Sequence, residues 1–188
     1  MKKNTLKKNT SGFTLVEMIL AVFVFSLALA GLMTISSRGL KISKESQNQV
    51  IADYLALEGV EVVRNLRDSA LLRFSNQNNW QTVFNQDGCL SASELGAACS
   101  FSFTTGDTPI RIHPCVDDCK VYLNSTQGTY RQFGTVLNNP GYSDSGFTRK
   151  IFLKTTNNPE EIVVISRVEW GGNSVEYTND LFLWNNLI

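Results

Sequence analysis

An apolar run over residues 13–35 constrains the fold of this chain more than any other stretch of its sequence. It is long enough to cross the roughly 30 Å hydrocarbon core of a bilayer as a helix. The run contains one charged residue, Glu17. Hydrocarbon strongly disfavours a charge at that depth, so we interpret Glu17 as a functional residue that requires a partner.

Charge is distributed unevenly around this run. Four lysines precede it and no acidic residue precedes Glu17. Because a basic flank stays on the cytoplasmic side, the sequence predicts that everything after the run lies across the membrane. The lysines are Lys2, Lys3, Lys7 and Lys8.

All four cysteines lie in the part expected to be exported: Cys89, Cys99, Cys115 and Cys119. An even number in an oxidising compartment predicts two disulfides. The local loops Cys89–Cys99 and Cys115–Cys119 are sterically possible, but four cysteines allow three connectivities. A rival interpretation is a zinc site that uses His113, Cys115 and Cys119. No closely spaced second pair of ligands supports it, so we expect no metal.

Composition excludes several classes of function. The chain has 188 residues, of which 43% are apolar, so it can form one domain with a core in addition to an anchor. Its net charge is zero and its pI is near 6.6, which argues against nucleic-acid binding as the main activity. It has one histidine, no Ser/His/Asp constellation and no phosphate-binding loop. We therefore predict neither an enzyme nor a bound cofactor.

The helical pattern continues beyond the apolar run. Residues 36–73 are amphipathic, and no proline occurs before Pro109, so one long helix is predicted from about residue 13 to about residue 72. The apolar positions at helical spacing are Val50, Ile51, Tyr54, Leu55, Val62, Val63 and Leu66.

The remaining sequence predicts an antiparallel sheet. Residues 74–98 are rich in Asn, Gln, Ser and Gly, which is typical of a variable connection. Residues 99–188 alternate with a period of two, most clearly over 147–154, 161–170 and 175–184. Gly171 and Gly172 suit a tight hairpin because a positive φ costs glycine nothing. The predicted fold is α+β, with a long helix packed on one face of the sheet.

The opening stretch resembles a known signal. The sequence Gly12-Phe13-Thr14-Leu15-Val16-Glu17 after a lysine-rich leader is similar to the class III signal of type IV pilins and pseudopilins. The predicted helix and sheet are similar to the fold of that family. Val168-Glu169-Trp170 and Leu183-Trp184-Asn185 resemble the ends of minor pilins of the pilus modification type.

The resemblance implies a sequence of processing, membrane storage and assembly. Prepilin peptidase would remove residues 1–12 by cutting between Gly12 and Phe13, and the new Phe13 amine would be methylated. Residues 13–35 would hold the subunit in the inner membrane, with the part of the chain that follows them outside the cytoplasm. They would then dock into a filament through an assembly platform. Glu17 would pair with the Phe13 amine of a neighbouring subunit. Whether the filament is a pilus, a DNA-uptake pilus or a secretion pseudopilus stays open.

Other interpretations compete for the same residues. Ala28-Leu29-Ala30 resembles a signal-peptidase site, which would leave a secreted soluble binding protein after cleavage behind Ala30. Glu17 inside the apolar run counts against it.

Two sets of residues after the apolar run are interpreted as structural rather than as ligand-binding. The pair Asp117-Asp118 and the sequence Asp144-Ser145-Gly146 lack the spacing of a calcium loop and are expected to be solvated turns. Three tryptophans are expected to pack in the core or against the sheet rather than to form a ligand-binding surface. They are Trp80, Trp170 and Trp184.

Overall fold

A computed structural model describes residues 12–73, 80–85, 88–91, 97–102, 110–115, 117–133 and 141–183. The chain divides into two compact units, Met1–Ser46 and Gln47–Ile188; we call the second unit the head. Helix α1 (Leu15–Arg73) begins in the first unit and ends in the second. The prediction of one long helix followed by an antiparallel sheet is confirmed.

Eight strands of the described residues form one sheet in the head. They are β1 (Leu90–Ser91), β2 (Cys99–Ser102), β3 (Arg111–Pro114), β4 (Lys120–Asn124), β5 (Thr129–Arg131), β6 (Tyr142–Thr155), β7 (Glu161–Trp170) and β8 (Asn173–Phe182). The long strand β6 organises the others. One of its edges pairs with β7, and β7 pairs with β8. Its other edge pairs in succession with β4, β2 and β1.

The hairpin between β7 and β8 forms at the predicted glycines. Trp170 faces Asn173 across the turn, and the two residues between them are Gly171 and Gly172. Both have positive φ, at 50° and 89°. Two left-handed residues in a two-residue loop match the right-handed twist of the flanking strands. The tight return therefore favours glycine, which adopts a positive φ without steric cost, at both positions.

The structure specifies elements that the sequence pattern indicated only in part: Trp80, Val83 and Phe84 indicate a short helical turn or loop, but the pattern indicates no strand there. The segment 74–98, predicted as a variable connection, contains a short helix α2 (Thr82–Asn85) and the strand β1. Strand β1 pairs with β6 in the parallel direction, whereas the other pairs are antiparallel. Strand β6 starts at Tyr142, inside a stretch rich in turn residues, because β4 pairs with it across a bulge between Val121 and Tyr122.

The head buries one stripe of α1 against the sheet. The stripe recurs every three or four residues, as expected for one face of a helix, and four of its six members are Ala or Gly. It consists of Ala52, Ala56, Gly59, Val63, Leu66 and Ala70. At Gly59 an added Cβ would collide with Ser166 Oγ of β7. Glycine is therefore required where the helix comes closest to the sheet.

The buried stripe differs in part from the apolar face that the sequence suggested. Leu55, Val62, Val63 and Leu66 are buried, but Val50 and Tyr54 are exposed. The small residues of the stripe allow the helix to approach the sheet closely, and the larger side chains of Leu55 and Val62 beside the stripe are buried as well. Helical spacing alone therefore identified the buried face only in part.

Two apolar clusters make up the core of the head. The larger one joins α1 to α2 and to the middle of the sheet, with Phe84, Phe101, Ile151 and Leu153 among its members. The smaller one joins Leu55 and its neighbours on α1 to strands β4, β6 and β7. Each large side chain buried in this way stabilises the head by about 1.5–3 kcal/mol.

Candidate functional site

The first candidate site is the start of α1, where Thr14 caps the helix. The Glu17 N–H lies 3.1 Å from the Thr14 carbonyl oxygen and 3.4 Å from Thr14 Oγ1, and it donates to both. A threonine hydroxyl that accepts from the N–H three residues later is an N-cap, and Thr14-x-x-Glu17 has the spacing of a capping box. Glu17 thus lies in the first turn, where the helix macrodipole favours a carboxylate.

The apolar segment 13–35 buries none of its large side chains in the described structure. Phe13, Leu15, Val16 and Met18 are all more than half exposed, and the same holds for most of the apolar side chains up to Ile35. By length and composition α1 is sufficient to cross a membrane, a test that a signal sequence near the N-terminus also passes. A surface so uniformly apolar indicates contact with lipid or with other helices.

The hydroxyl groups of this segment are satisfied within the helix. Ser26 Oγ donates to the Val22 carbonyl oxygen at 2.7 Å, and Thr34 Oγ1 donates to the Ala30 carbonyl oxygen at 2.9 Å. Such back-bonding leaves no unpaired donor to face hydrocarbon. The segment can therefore enter an apolar environment without losing hydrogen bonds at these positions.

Glu17 is the exception in this segment. It is the only charged residue between Gly12 and Ser37. No ion pair within the described part of the chain includes its carboxylate. In water a carboxylate at a helix start is well solvated, but in hydrocarbon it requires a cation or proton. Its chemistry therefore fits a contact supplied by another molecule.

The four cysteines form two disulfides in the structure. Cys89 bonds to Cys99 with their Cα atoms 5.9 Å apart, and Cys115 bonds to Cys119 with their Cα atoms 4.9 Å apart. The connectivity is thus the local one among the three that the sequence allowed. Because Cys115 and Cys119 are joined, neither can supply a thiolate to zinc. No cluster of three potential metal ligands occurs among the described residues.

The other residues singled out from the sequence have packing or turn roles. Trp80 and Trp170 are buried in the head, and Trp80 packs edge-on against Phe84 with ring centroids 6.1 Å apart. Trp184 lies outside the described residues. Asp144 Oδ1 accepts from the Gly146 N–H at 2.8 Å, which is the local hydrogen bond of a turn. This turn is built into the start of β6 rather than into a free loop.

The second candidate site is a buried polar group in the head that the sequence analysis missed. Arg149 on β6 is 1% exposed in its side chain, and its Nη1 lies 2.5 Å from Glu58 Oε2 on α1. The same nitrogen donates to the Leu55 carbonyl oxygen at 3.2 Å, and Arg149 Nε donates to Gln132 Oε1 at 2.8 Å. Gln132 Nε2 in turn donates to the carbonyl oxygens of Cys119 and Arg149, both at 2.8 Å. We call these groups the Arg149 network.

The environment of Arg149 explains how a cation is kept in the core. Its guanidinium lies 4.0 Å from the centroid of the Phe101 ring, close enough for a cation–π contact. Burial lowers the pKa of Arg149 below its ordinary value, and the Glu58 carboxylate partly offsets this effect. A signal for this network was present, because Arg149 interrupts the inward-facing positions Phe147 and Ile151 of β6.

Comparison with known families gives one match. Residues 7–33 match the family model of the prokaryotic N-terminal methylation motif. The match contains Gly12, Phe13 and Glu17, together with most of the apolar run, and includes none of the head. No curated protein and no solved structure matches the chain.

Proposed function

We propose that this chain is a minor pilin or pseudopilin, because residues 7–33 carry the prokaryotic N-terminal methylation motif, the prepilin signal of type IV pilins. Proteins with this signal are in general structural subunits rather than enzymes. The subunit is made as a membrane-anchored precursor, cut by prepilin peptidase after Gly12, and methylated on the Phe13 amine. It then joins other subunits through its apolar segment, at an assembly platform in the inner membrane.

The backbone around the proposed cleavage site supports this order of events. Residues 12–14 precede the helix, which starts at Leu15, so the Gly12–Phe13 bond lies in non-helical chain that a peptidase can bind. The rival signal-peptidase site after Ala30 lies inside α1, about four turns from its start. Cleavage there requires a stretch of helix to unwind first. This difference favours Phe13 over Gly31 as the mature N-terminus.

Glu17 is the single observation that carries the assembly role. It is an acid without an ion-pair partner in the described chain, and it sits in a segment otherwise suited to hydrocarbon. The Phe13 amine of a neighbouring subunit supplies a cation in the same layer of the filament. At a separation of about 4 Å and an effective dielectric constant of about 20, such a pair attracts by about 4 kcal/mol. That attraction offsets the cost of transferring the carboxylate into an apolar bundle.

The location of the head follows from the same arrangement. The lysine-rich leader stays in the cytoplasm, so the head with its two disulfides lies outside it. The anchored subunit is stored in the inner membrane and ends in a filament. The neutral composition offers no support for nucleic acid as a partner.

Mass spectrometry of the mature N-terminus tests the processing step. We expect the chain to begin at methylated Phe13. A mature protein that begins at Gly31 would overturn the proposal and would indicate a secreted soluble binding protein instead.

The assembly step is tested by Glu17→Ala, with Glu61→Ala as the matched control. Both variants remove a carboxylate from α1, but Glu61 already pairs with Arg64 of its own chain at 2.6 Å. We expect Glu17→Ala to be processed and held in the membrane, yet to be strongly depleted from purified filaments. The Glu61→Ala subunit should be incorporated normally. Equal incorporation of Glu17→Ala and the unaltered protein would contradict the assembly role.

A further inference from the structure

The Cys115–Cys119 disulfide lies at one end of the Arg149 network. Cys119 contributes its carbonyl oxygen, which accepts one of the two N–H groups of the buried Gln132 amide. Gln132 Oε1 accepts a hydrogen bond from Arg149 Nε. Arg149 Nη1 in turn donates to Glu58 Oε2 and to the Leu55 carbonyl oxygen on α1. A continuous series of hydrogen bonds therefore joins the disulfide to the helix.

The backbone inside the Cys115–Cys119 loop has an uncommon conformation. Asp118 and Cys119 have φ values of 52° and 62°, both in the left-handed region. Residues with a Cβ disfavour this region, and two in succession are rarer still. Aspartate tolerates it through local hydrogen bonding, whereas cysteine has no such compensation. The orientation of the Cys119 carbonyl thus depends on a constraint that the open chain lacks.

The two disulfides differ in their access to solvent. Cys89 and Cys99 are both completely buried. Cys119 is buried as well, but Cys115 is half-buried at the end of β3. Because thiol–disulfide exchange requires a thiolate to approach a sulfur atom, access favours attack at Cys115. The chain therefore contains one accessible disulfide and one shielded disulfide within the same head.

We propose that the Cys115–Cys119 disulfide is a redox-sensitive control on the docking of α1 against the head sheet. A thiolate of a dithiol reductant attacks Cys115 Sγ, the S–S bond breaks, and Cys119 leaves as a thiolate that takes up a proton. The second thiol of the reductant displaces the Cys115 thiol from the mixed disulfide. The protein gains two electrons and two protons, and the reductant becomes a disulfide.

Opening the loop releases the backbone at Asp118 and Cys119 to negative φ. The Cys119 carbonyl then turns away from Gln132, which leaves a buried amide N–H without its acceptor. Gln132 then no longer fixes the position of the Arg149 guanidinium, and the hydrogen bonds from Arg149 to Leu55 and Glu58 weaken. Docking of α1 is thereby completed only in an oxidising compartment. This inference is independent of the filament role of the apolar segment.

Hydrogen exchange on the full chain in detergent micelles tests whether the Cys115–Cys119 disulfide controls the docking of α1. The amides of α1 from Leu55 to Gly59 are compared with those of β7, before and after treatment with dithiothreitol. Thiol alkylation and mass spectrometry identify which disulfide has opened. The double variant Cys115→Ser/Cys119→Ser opens the loop without a reductant. Gln132→Met keeps the disulfide but removes the link between Cys119 and Arg149.

We expect Cys115–Cys119 to open before Cys89–Cys99. Opening by either route should speed exchange in α1 at least about fivefold, as expected for one lost buried hydrogen bond, with little change in β7. In Gln132→Met, exchange in α1 should already be fast and should not respond to the reductant. Unchanged exchange in α1 once the loop is open would overturn the proposal. An equal rise in the exchange rate of the β7 amides would also overturn it, as would earlier opening of the Cys89–Cys99 disulfide.

Discussion

Replacement of Gly59 by Ala tests how closely α1 packs on the sheet. The new Cβ would collide with Ser166 Oγ and would lie 3.2 Å from Ser166 Cβ. Ser166 is fully buried on β7, which is paired on both sides, so rotation of its hydroxyl still leaves the contact with its Cβ. Overpacking of this kind costs about 1–3 kcal/mol, whereas Ala for Gly in a helix gains about 1 kcal/mol. We expect the free energy of unfolding of the head to fall, by up to about 2 kcal/mol.

The measurement is a guanidinium chloride titration of the full chain in detergent, followed by tryptophan fluorescence. Trp80 and Trp170 are buried in the head, so their emission reports its unfolding. Gly39→Ala is the matched control, because it changes the same residue type in the same helix where an added Cβ meets nothing within 4 Å. We expect no loss of stability in this control.

A double-mutant cycle with Ser166→Gly tests whether the contact between residue 59 and Ser166 causes the loss of stability in Gly59→Ala. That substitution removes the two atoms that crowd the new methyl group and leaves Arg149 Cδ at 3.6 Å, an ordinary van der Waals contact. In this background Gly59→Ala should stabilise the head by up to about 1 kcal/mol, because only the helix-propensity gain remains. The sign of the effect should therefore reverse between the two backgrounds. An equal loss of stability in both would refute the argument.

Three further predictions concern the stability of the head, each measured by the same titration. Ile151→Ala should lower the free energy of unfolding by about 2–5 kcal/mol, since Ile151 is completely buried in the larger cluster. Replacing Cys89 and Cys99 by Ser should cost about 2–3 kcal/mol, because their disulfide closes a loop with a separation of 10 residues. Glu61→Gln should change stability by less than about 1 kcal/mol, because the Glu61–Arg64 pair is exposed.

The helix and the final hairpin could be predicted because their signals are local. An apolar run without proline and an amphipathic continuation predicted α1. Alternating side chains and two glycines predicted β7, β8 and the turn between them. The methylation motif is equally local, since its residues are read directly from the chain.

Elements that depend on partners distant in sequence were not predicted. Strand β1 has only two residues and exists because β6 pairs with it in parallel, more than 60 residues further along the chain. Strand β5 has three residues and pairs with β4. Residues in such short strands carry no alternation that a sequence pattern can register.

The sequence by itself determined the apolar segment, its single acid Glu17 and the motif around them, because each is a property of neighbouring residues. Only the tertiary structure decided which stripe of α1 is buried and which cysteines are joined. It also brought Arg149 to Glu58, which lies 91 residues away in sequence. Periodicity predicts that a helix has a buried face, but the shape of the surface that receives the helix selects that face.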